Sequence, residues 1–273
     1  MSDFPIRTLQ THEEFEQVRL IQRIIWKHSD LELTSTHQYL LFLRTGAILL
    51  GAFDGEKIVG FVFSFPAVFQ DRTAQHSRQL AVLPEYRGRG IGKRLKWAQR
   101  KEAEKKGFEW VTWTADPLIE RNAVLNFHTL GARTRTYLTD YYAALPKLAL
   151  APGLPTDRLF IEWPLRNPEV ERRKKGHFPH RRPNELFKII EAFPSKGRLL
   201  SRYTSPGQTD GPLLIEVPPR IREMTKDLAL VSHWQKDLRR AFRACFRLGY
   251  EVTDFIFFEA GGYVLEQKTE KSE

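Results

Sequence analysis

The sequence predicts an α+β fold, with a mixed β-sheet and helices over residues 1–165 and a further α/β segment after them. Strand and helix patterns over residues 1–165 follow the order strand, two helices, three strands, helix, strand, helix, two strands. A glycine-rich turn near residue 90 joins a strand pattern to a basic helix pattern. With 273 residues, 41% of them hydrophobic, the chain has enough apolar material for two domains.

Capping residues and apolar spacing predict the first two helices. A strand pattern covers residues 4–10, and Thr11 then offers an N-cap ahead of a run of acidic residues, which suit the helix dipole. Apolar side chains recur at helical spacing over residues 15–26. A second helix is expected from its N-cap Ser35 to residue 46.

Alternating and apolar runs predict the next three strands. Residues 47–53 are apolar and end at Asp54-Gly55, a hairpin signal. Residues 57–68 alternate as the return strand, and residues 76–82 form a third strand that stops before Pro84.

The rest of the first domain alternates between helices and strands. A basic amphipathic helix is expected over residues 90–106, with Gly107 at its C-terminal end. The sequence then predicts a strand, a helix and two further strands, over residues 110–115, 120–130, 133–142 and 159–165 in that order.

The second part of the chain begins with a proline- and charge-rich stretch, residues 166–183, which we interpret as a basic linker. An α/β domain is expected over residues 184–273. Its predicted elements are a helix over 184–192, strands over 198–203 and 213–217, a long helix over 228–248, and strands over 252–258 and 263–266. A short match between residues 246–249 and 127–131 leaves open a degenerate repeat of the first domain.

The net charge of +10 is concentrated in two places. Residues 87–106 hold nine basic and two acidic side chains, and residues 166–182 hold seven and two. Basic surfaces favour nucleic-acid binding, but a cluster at a glycine-rich turn favours a compact polyanionic ligand. For the second cluster, a solvated face is an equally ordinary interpretation.

The composition limits the other function classes. The one cysteine, Cys245, excludes an internal disulfide and a thiolate metal cluster, and we expect no metal site. A His177–His180 pair without carboxylates does not change that expectation. The N-terminal residues have no secretory pattern, and the longest apolar run is far shorter than the roughly 20 residues of a membrane helix. A cytoplasmic protein without membrane contact is therefore expected.

The glycine-rich turn predicts an anion site. Gly88, Gly90 and Gly92 alternate just before the basic helix, where close backbone approach and the free amides of the first turn favour a bound anion. The spacing does not fit a Walker loop, because Gly88 and Gly92 are separated by three residues and Arg94 follows Lys93. The third glycine of a dinucleotide fingerprint is missing as well.

The run from Arg87 to Gly92 resembles the acetyl-CoA signature of the GNAT superfamily of N-acetyltransferases. The preceding residues 82–86 and the element order over residues 1–165 are also typical of that superfamily. The resemblance implies a splay between the strands near residues 80–82 and 111–114, which holds the pantetheine arm of CoA. The cofactor-binding residues that it implies are Leu80, Val82, Arg87, Gly88, Arg89, Gly90, Ile91, Gly92, Lys93, Asn122 and Asn126.

The resemblance identifies the catalytic residues less clearly than the cofactor-binding residues. Phe127 stands where the family often has a tyrosine acid. We choose Asp116 and His128 as catalytic candidates, Asp116 as a base or an anchor for the substrate ammonium. A plain turn role before Pro117 remains the alternative for Asp116, and His76 and the tyrosine pair at 141–142 are further candidates.

The stretches 113–122, 157–163 and 249–254 are similar to a two-domain bacterial branch of the superfamily. The resemblance implies an acyl-CoA-dependent N-acyltransferase that moves an acetyl or another short acyl group, succinyl included, to a small-molecule amine such as an amino acid. Two other classes stay open: a non-catalytic module that binds CoA or a partner, and a nucleic-acid-associated protein. A homodimer is also left open.

Overall fold

The computed structural model describes residues 4–145, 148–207 and 211–267. Its chain divides into two compact units: Met1–Trp113 with Pro164–Asn167, and Thr114–Trp163 with Pro168–Glu273. The described strands are β1 Ile6–Thr8, β2 Ile48–Asp54, β3 Lys57–Phe69, β4 Arg72–Val82, β5 Trp110–Ala115, β6 Arg133–Leu138, β7 Arg158–Pro164, β8 Phe187–Ser195, β9 Arg198–Tyr203, β10 Leu213–Glu216, β11 Tyr250–Ile256 and β12 Gly262–Gln267. The described helices are α1 His12–Trp26, α2 Thr36–Arg44, α3 Ile91–Lys105, α4 Glu120–Ala123, α5 Pro168–Lys174 and α6 Leu228–Arg247.

In the first unit, β1 to β5 lie side by side in chain order. The pairs from β1 to β4 are antiparallel, and β4 runs parallel to β5. Thr11 and Ser35 cap α1 and α2 through capping boxes, as predicted. Both helices pack on the sheet through a core that includes Phe15, Tyr39 and Phe63, while α3 packs against β2, β3 and β4.

In the second unit, the strand order is β7-β6-β11-β12-β10-β8-β9. Only β8 and β10 run parallel among the described pairs of this sheet. The long helix α6 packs against β6, β9 and β11 and buries Trp234, Leu238 and Phe242 completely. Parallel and antiparallel pairs occur in both units, so the predicted α+β class with a mixed sheet, extended by C-terminal strands and a helix, is confirmed.

Several local predictions need correction. The predicted helix over residues 184–192 is wrong, because Phe187–Ser195 forms strand β8 between β9 and β10. The stretch predicted as a linker contains helix α5, whose Val170 and Arg173 are buried. The helix predicted over 120–130 is one α-helical turn, α4, followed by a π-helical segment, Val124–Thr129.

The two compact units divide elsewhere than at residue 165, and the domain boundaries predicted from the sequence stay predictions. The division falls inside β5, between Trp113 and Thr114, and a short piece near residue 165 returns to the first unit. In the described part of the chain, no helix has both the length and the apolar character that a membrane crossing requires.

Candidate active site

The glycine-rich turn lies in the first unit, between the end of β4 and the start of α3. A short 3-10 turn, Pro84–Tyr86, breaks the strand, and Gly90 then serves as the N-cap of α3 with a φ of +74°. No side chain caps this helix end. A Cβ added at Gly88 or Gly90 would meet nothing within 4 Å. The turn therefore borders open space, and no side chain occupies the amides of the first turn of α3, which suits an anion such as a pyrophosphate.

Basic side chains surround this turn, and some of them hold it in place. Arg87 donates from Nε to the carbonyl of Val82 at 3.2 Å. Arg94 donates to the carbonyl of Phe4 at 3.0 Å. The guanidinium of Arg89 lies 5.2 Å from the centre of the Tyr86 ring, and Lys93 is exposed. Arg87, Arg89 and Lys93 therefore leave positive charge at the surface of the turn.

β4 and β5 separate before either strand ends. Their pairing runs from Ala74 opposite Trp110 to His76 opposite Thr112, whereas β4 continues to Val82. On its other edge, β4 carries a bulge, because Phe63 pairs with Gln79 and Ser64 with Ser77, which leaves Arg78 as an extra residue. Bulges bend a strand and end its pairing. The structure thus contains the strand separation that the sequence resemblance implied, with Leu80 and Val82 along its open edge.

A buried polar cluster closes the narrow end of this separation. Lys96 on α3 is 3% exposed, and its Nζ donates to Gln99 Oε1 at 2.7 Å and to Ser77 Oγ at 3.3 Å. The same Nζ lies 3.7 Å from the ring centroid of Trp113. The sequence analysis counted Lys96 only as surface charge. Its spacing from Gln99 and Ala103, which share the buried face of α3, was the signal that could have revealed it.

Asp116 lies in the second unit, just after β5. Its Oδ1 accepts the amide of Leu118 at 2.9 Å, which is the local turn contact expected of an aspartate before proline. Its Oδ2 lies 3.7 Å from Arg158 Nη1. Burial raises the pKa of the Asp116 carboxyl, and the charge of Arg158 opposes that rise. Asp116 therefore combines a structural turn contact with a pKa shifted by burial, and its catalytic role stays a prediction.

The two asparagines proposed for the pantetheine amides lie one turn apart, also in the second unit. Asn122 is half-buried on α4, and Asn126 is 4% exposed within the π-helical segment. π-Helical turns often occur at functional sites. Phe127 follows Asn126 in the π-helical segment. Its ring is buried and packs edge-on against the ring of Tyr263, with 5.6 Å between the ring centroids. The Tyr263 hydroxyl donates to the carbonyl of Pro117 at 2.8 Å.

His128 belongs to a different set of contacts from Asp116. Its Nδ1 lies 3.2 Å from Asp254 Oδ1, and its ring stacks on Phe178 at 4.8 Å. Arg173 donates to the His128 carbonyl at 2.8 Å and lies 3.2 Å from the same Asp254 oxygen. These contacts tie the His128 side chain into an ion-pair cluster, and its catalytic role stays a prediction.

The remaining candidates also have defined partners. His76 Nδ1 lies 3.1 Å from Thr112 Oγ1, and burial, together with the charges of Lys96 and Arg78, lowers its pKa. Tyr142 shares a hydrogen bond with Thr114 at 2.9 Å. No group of three or more His, Cys, Asp or Glu side chains in the described ranges is placed to hold a metal ion.

Residues 11–131 match the model of the Acetyltransferase (GNAT) family. The matched segment runs from the N-cap of α1 to the end of the π-helical segment and contains the glycine-rich turn. The chain therefore contains a domain that matches the GNAT acetyltransferase family, and the resemblance recognised from its motif is confirmed for this domain.

Several solved acetyltransferase structures are similar to part of this chain. The putative acetyltransferase yncA from Salmonella typhimurium, determined with its cofactor acetyl-CoA, has 16% sequence identity and a TM-score of 0.50, covering 61% of this chain and 96% of its own. An aminoglycoside 6'-acetyltransferase type Ii has 16% identity and a TM-score of 0.46, covering 60% and 98%. The ribosomal-protein-S18-alanine N-acetyltransferase from Escherichia coli has 17% identity and a TM-score of 0.46, covering 59% and 93%. The comparison with curated proteins gave no match.

Proposed function

We propose that this protein is an acyl-CoA-dependent N-acyltransferase. It transfers an acetyl or another short acyl group, with succinyl among the candidates, to the amine of a small molecule such as an amino acid. The observation that carries the proposal is the combination, within the first unit, of the open edge of β4 with the uncapped glycine turn at α3. A solved structure of this fold was determined with acetyl-CoA, which supports the same class of co-substrate here.

The turn fits the pyrophosphate of CoA. The amides of Ile91, Gly92 and Lys93 stand at the uncapped helix end, where the helix dipole favours negative charge. Arg87, Arg89 and Lys93 add exposed positive charge. The open edge of β4 near Leu80 and Val82 offers backbone groups to the amides of the pantetheine arm, and we assign Asn122 and Asn126 to the same task.

The thioester supplies an activated acyl group, and the protein must supply a neutral amine to attack it. Asp116 is the proposed anchor of the acceptor's ammonium group, because a carboxylate attracts a cation and accepts its proton. Its raised pKa brings it nearer to neutral pH, where a general base works best. His128 remains the second candidate for this role.

The test is a matrix of acyl-CoAs against amines, with release of free CoA followed by a thiol reagent. Acetyl-, propionyl- and succinyl-CoA would each be paired with amino acids and with polyamines. Calorimetric titration of CoA in the same preparation reports binding separately from turnover. Amine-dependent CoA release above the hydrolysis background is the expected result.

A non-catalytic CoA-binding module is the second candidate, and Phe127 is the observation that favours it. No tyrosine hydroxyl stands at that position to protonate a leaving thiolate. Calorimetric binding of CoA without turnover of any acyl-CoA in the matrix would select this alternative. Failure to bind CoA at all would refute both.

A further inference from the structure

The separation of β4 and β5 has an amine at its narrow end. The last paired residues are His76 on β4 and Thr112 on β5, so Ser77 and Trp113 are the first residues beyond the point of separation. Lys96 Nζ lies 3.3 Å from Ser77 Oγ and 3.7 Å from the Trp113 ring centroid. The side chain thus reaches from α3 to the point where the two strands part.

The surroundings of this amine favour its neutral form. Desolvation by burial lowers the pKa of Lys96 well below its ordinary value. His76 on β4 is a titratable group near Lys96, Arg78 on the same strand lies near His76, and Arg100 follows Lys96 one turn later on α3. Arg100 is bound to the carbonyl of Leu165 and to Glu104. The Lys96 amine contacts the amide oxygen of Gln99, the hydroxyl of Ser77 and the indole ring of Trp113.

The distance along β4 fits the length of a bound acyl-CoA. Ser77 lies five residues before Val82, the last residue of β4 ahead of the turn. At about 3.4 Å per residue these two residues are at most roughly 17 Å apart, since the bulge at Arg78 shortens the strand, and this span is of the order of an extended pantetheine arm. A CoA whose pyrophosphate occupies the turn would therefore bring its thioester to the level of Lys96.

We propose that Lys96 is a catalytic residue of the acyl transfer, which relays a proton from the acceptor ammonium to the sulfur of CoA. The inference rests on the proposed function and adds a residue to it: Lys96 takes the role of base, and Asp116 keeps the anchoring of the ammonium group. The neutral Nζ takes one proton from the ammonium and releases the free amine. That amine forms the C–N bond as the C–S bond breaks, and the protonated Nζ gives its proton to the departing thiolate. The second proton lost by the nitrogen goes to water.

A lysine with a purely structural role would destabilise the fold at this position. Buried ammonium groups carry a desolvation penalty, and an apolar side chain of similar volume often replaces a buried charge at no cost in stability. The Gln99 and Ser77 contacts hold the amine in one place, which a relay requires. Because position 127 holds phenylalanine and no tyrosine, another group must protonate the departing thiolate.

The test compares Lys96→Met and Lys96→Arg with the wild type. Methionine keeps the approximate volume without a proton, and arginine carries a fixed charge and does not release its proton at these pH values. Lys101→Met, on the exposed face of the same helix, is the matched control. Three measurements apply: CoA affinity by calorimetry, kcat/KM of the best substrate pair from pH 5 to 10, and the Nζ pKa in the free protein by ¹⁵N NMR.

Both Lys96 variants are expected to lose about 10²-fold or more in kcat, with CoA affinity within a few fold of wild type. The acid limb of the wild-type profile should match the Nζ pKa and disappear in Lys96→Met. Full activity of Lys96→Arg, an Nζ pKa near that of free lysine, or a parallel loss of CoA binding would each overturn the relay. A wild type that binds CoA but turns over no acyl-CoA is a failure of the proposed function itself, and the relay then falls with it.

Discussion

Substitution of Gly90 tests the CoA site most directly, because this residue forms the N-cap of α3 with a left-handed backbone. Its φ is +74°, and an added Cβ would meet no protein atom within 4 Å. In Gly90→Val the side chain would therefore project into the open space that the ligand is proposed to occupy. The main competing effect is backbone strain, and a second glycine next to the same helix provides a control for that strain.

The matching position is Gly107, at the other end of α3. Its φ is +81°, and an added Cβ there also meets nothing within 4 Å. A non-glycine residue in this conformation costs roughly 1–2 kcal/mol, and a β-branched one somewhat more. Gly90→Val and Gly107→Val should therefore lose similar amounts of stability. Only Gly90→Val should weaken CoA binding, by tenfold or more, which is about 1.4 kcal/mol.

The assay pairs urea unfolding of each variant with calorimetric titration of CoA at a temperature where both remain folded. If Gly90→Val binds CoA as tightly as the wild type, the pyrophosphate does not lie at this turn. An equal loss of affinity in Gly107→Val would assign the effect to global strain in α3. Either result would refute the site as placed.

Four further predictions concern single side chains. Gly92→Ala should stabilise the fold by up to about 1 kcal/mol in urea unfolding with CoA affinity retained, because Gly92 is helical and a Cβ there makes only ordinary contacts. Lys96→Met should raise the Tm at pH 6–8, and the gain should shrink as pH rises towards about 10.4, because the unfolded chain keeps its proton over that interval; each unit of pKa depression is worth about 1.4 kcal/mol. Asp116→Asn should lower kcat/KM by about 10² or more across pH 6–9 while CoA affinity changes little, and near-wild-type turnover would leave Asp116 a turn residue. Phe127→Tyr should cost about 1–3 kcal/mol through a buried hydroxyl without raising kcat, and a strong rise in kcat would favour the non-catalytic module.

The sequence correctly predicted those features that depend only on residues close together in the chain. Thr11 and Ser35 cap their helices because short polar side chains satisfy free amides nearby. The hairpin signalled by Asp54-Gly55 forms with Gly55 and Glu56 as its two turn residues, since Asp54 pairs with Lys57 and Gly55 adopts the positive φ that such turns need. The turn at Gly90 and the helix that follows it were predicted for the same reason, since backbone conformation is a local property, and anion binding there stays a prediction.

Contacts between residues far apart in the sequence determine the structure of the segments where prediction failed. Leu186, Ile189 and Ile190 have spacings that suit a helix, but strand β8 forms because β9 and β10 both pair with it. Sequence periodicity over so short an apolar run cannot separate the two outcomes. Lys96 was missed because its burial depends on contacts with β4 and β5, whereas a lysine within a basic run is ordinarily exposed.

Burial acts on Asp116 and Lys96 in opposite directions, and the two proposals above give the two residues different roles. Desolvation raises the pKa of the Asp116 carboxyl and lowers that of the Lys96 amine. Arg158 opposes the rise at Asp116 and favours its ionised form, which can hold a cationic amine. Asp116→Asn should therefore act mainly on the KM of the amine substrate, whereas Lys96→Met should act mainly on kcat. If both variants changed the same parameter to the same degree, the two residues would not have the separate anchoring and relay roles assigned to them.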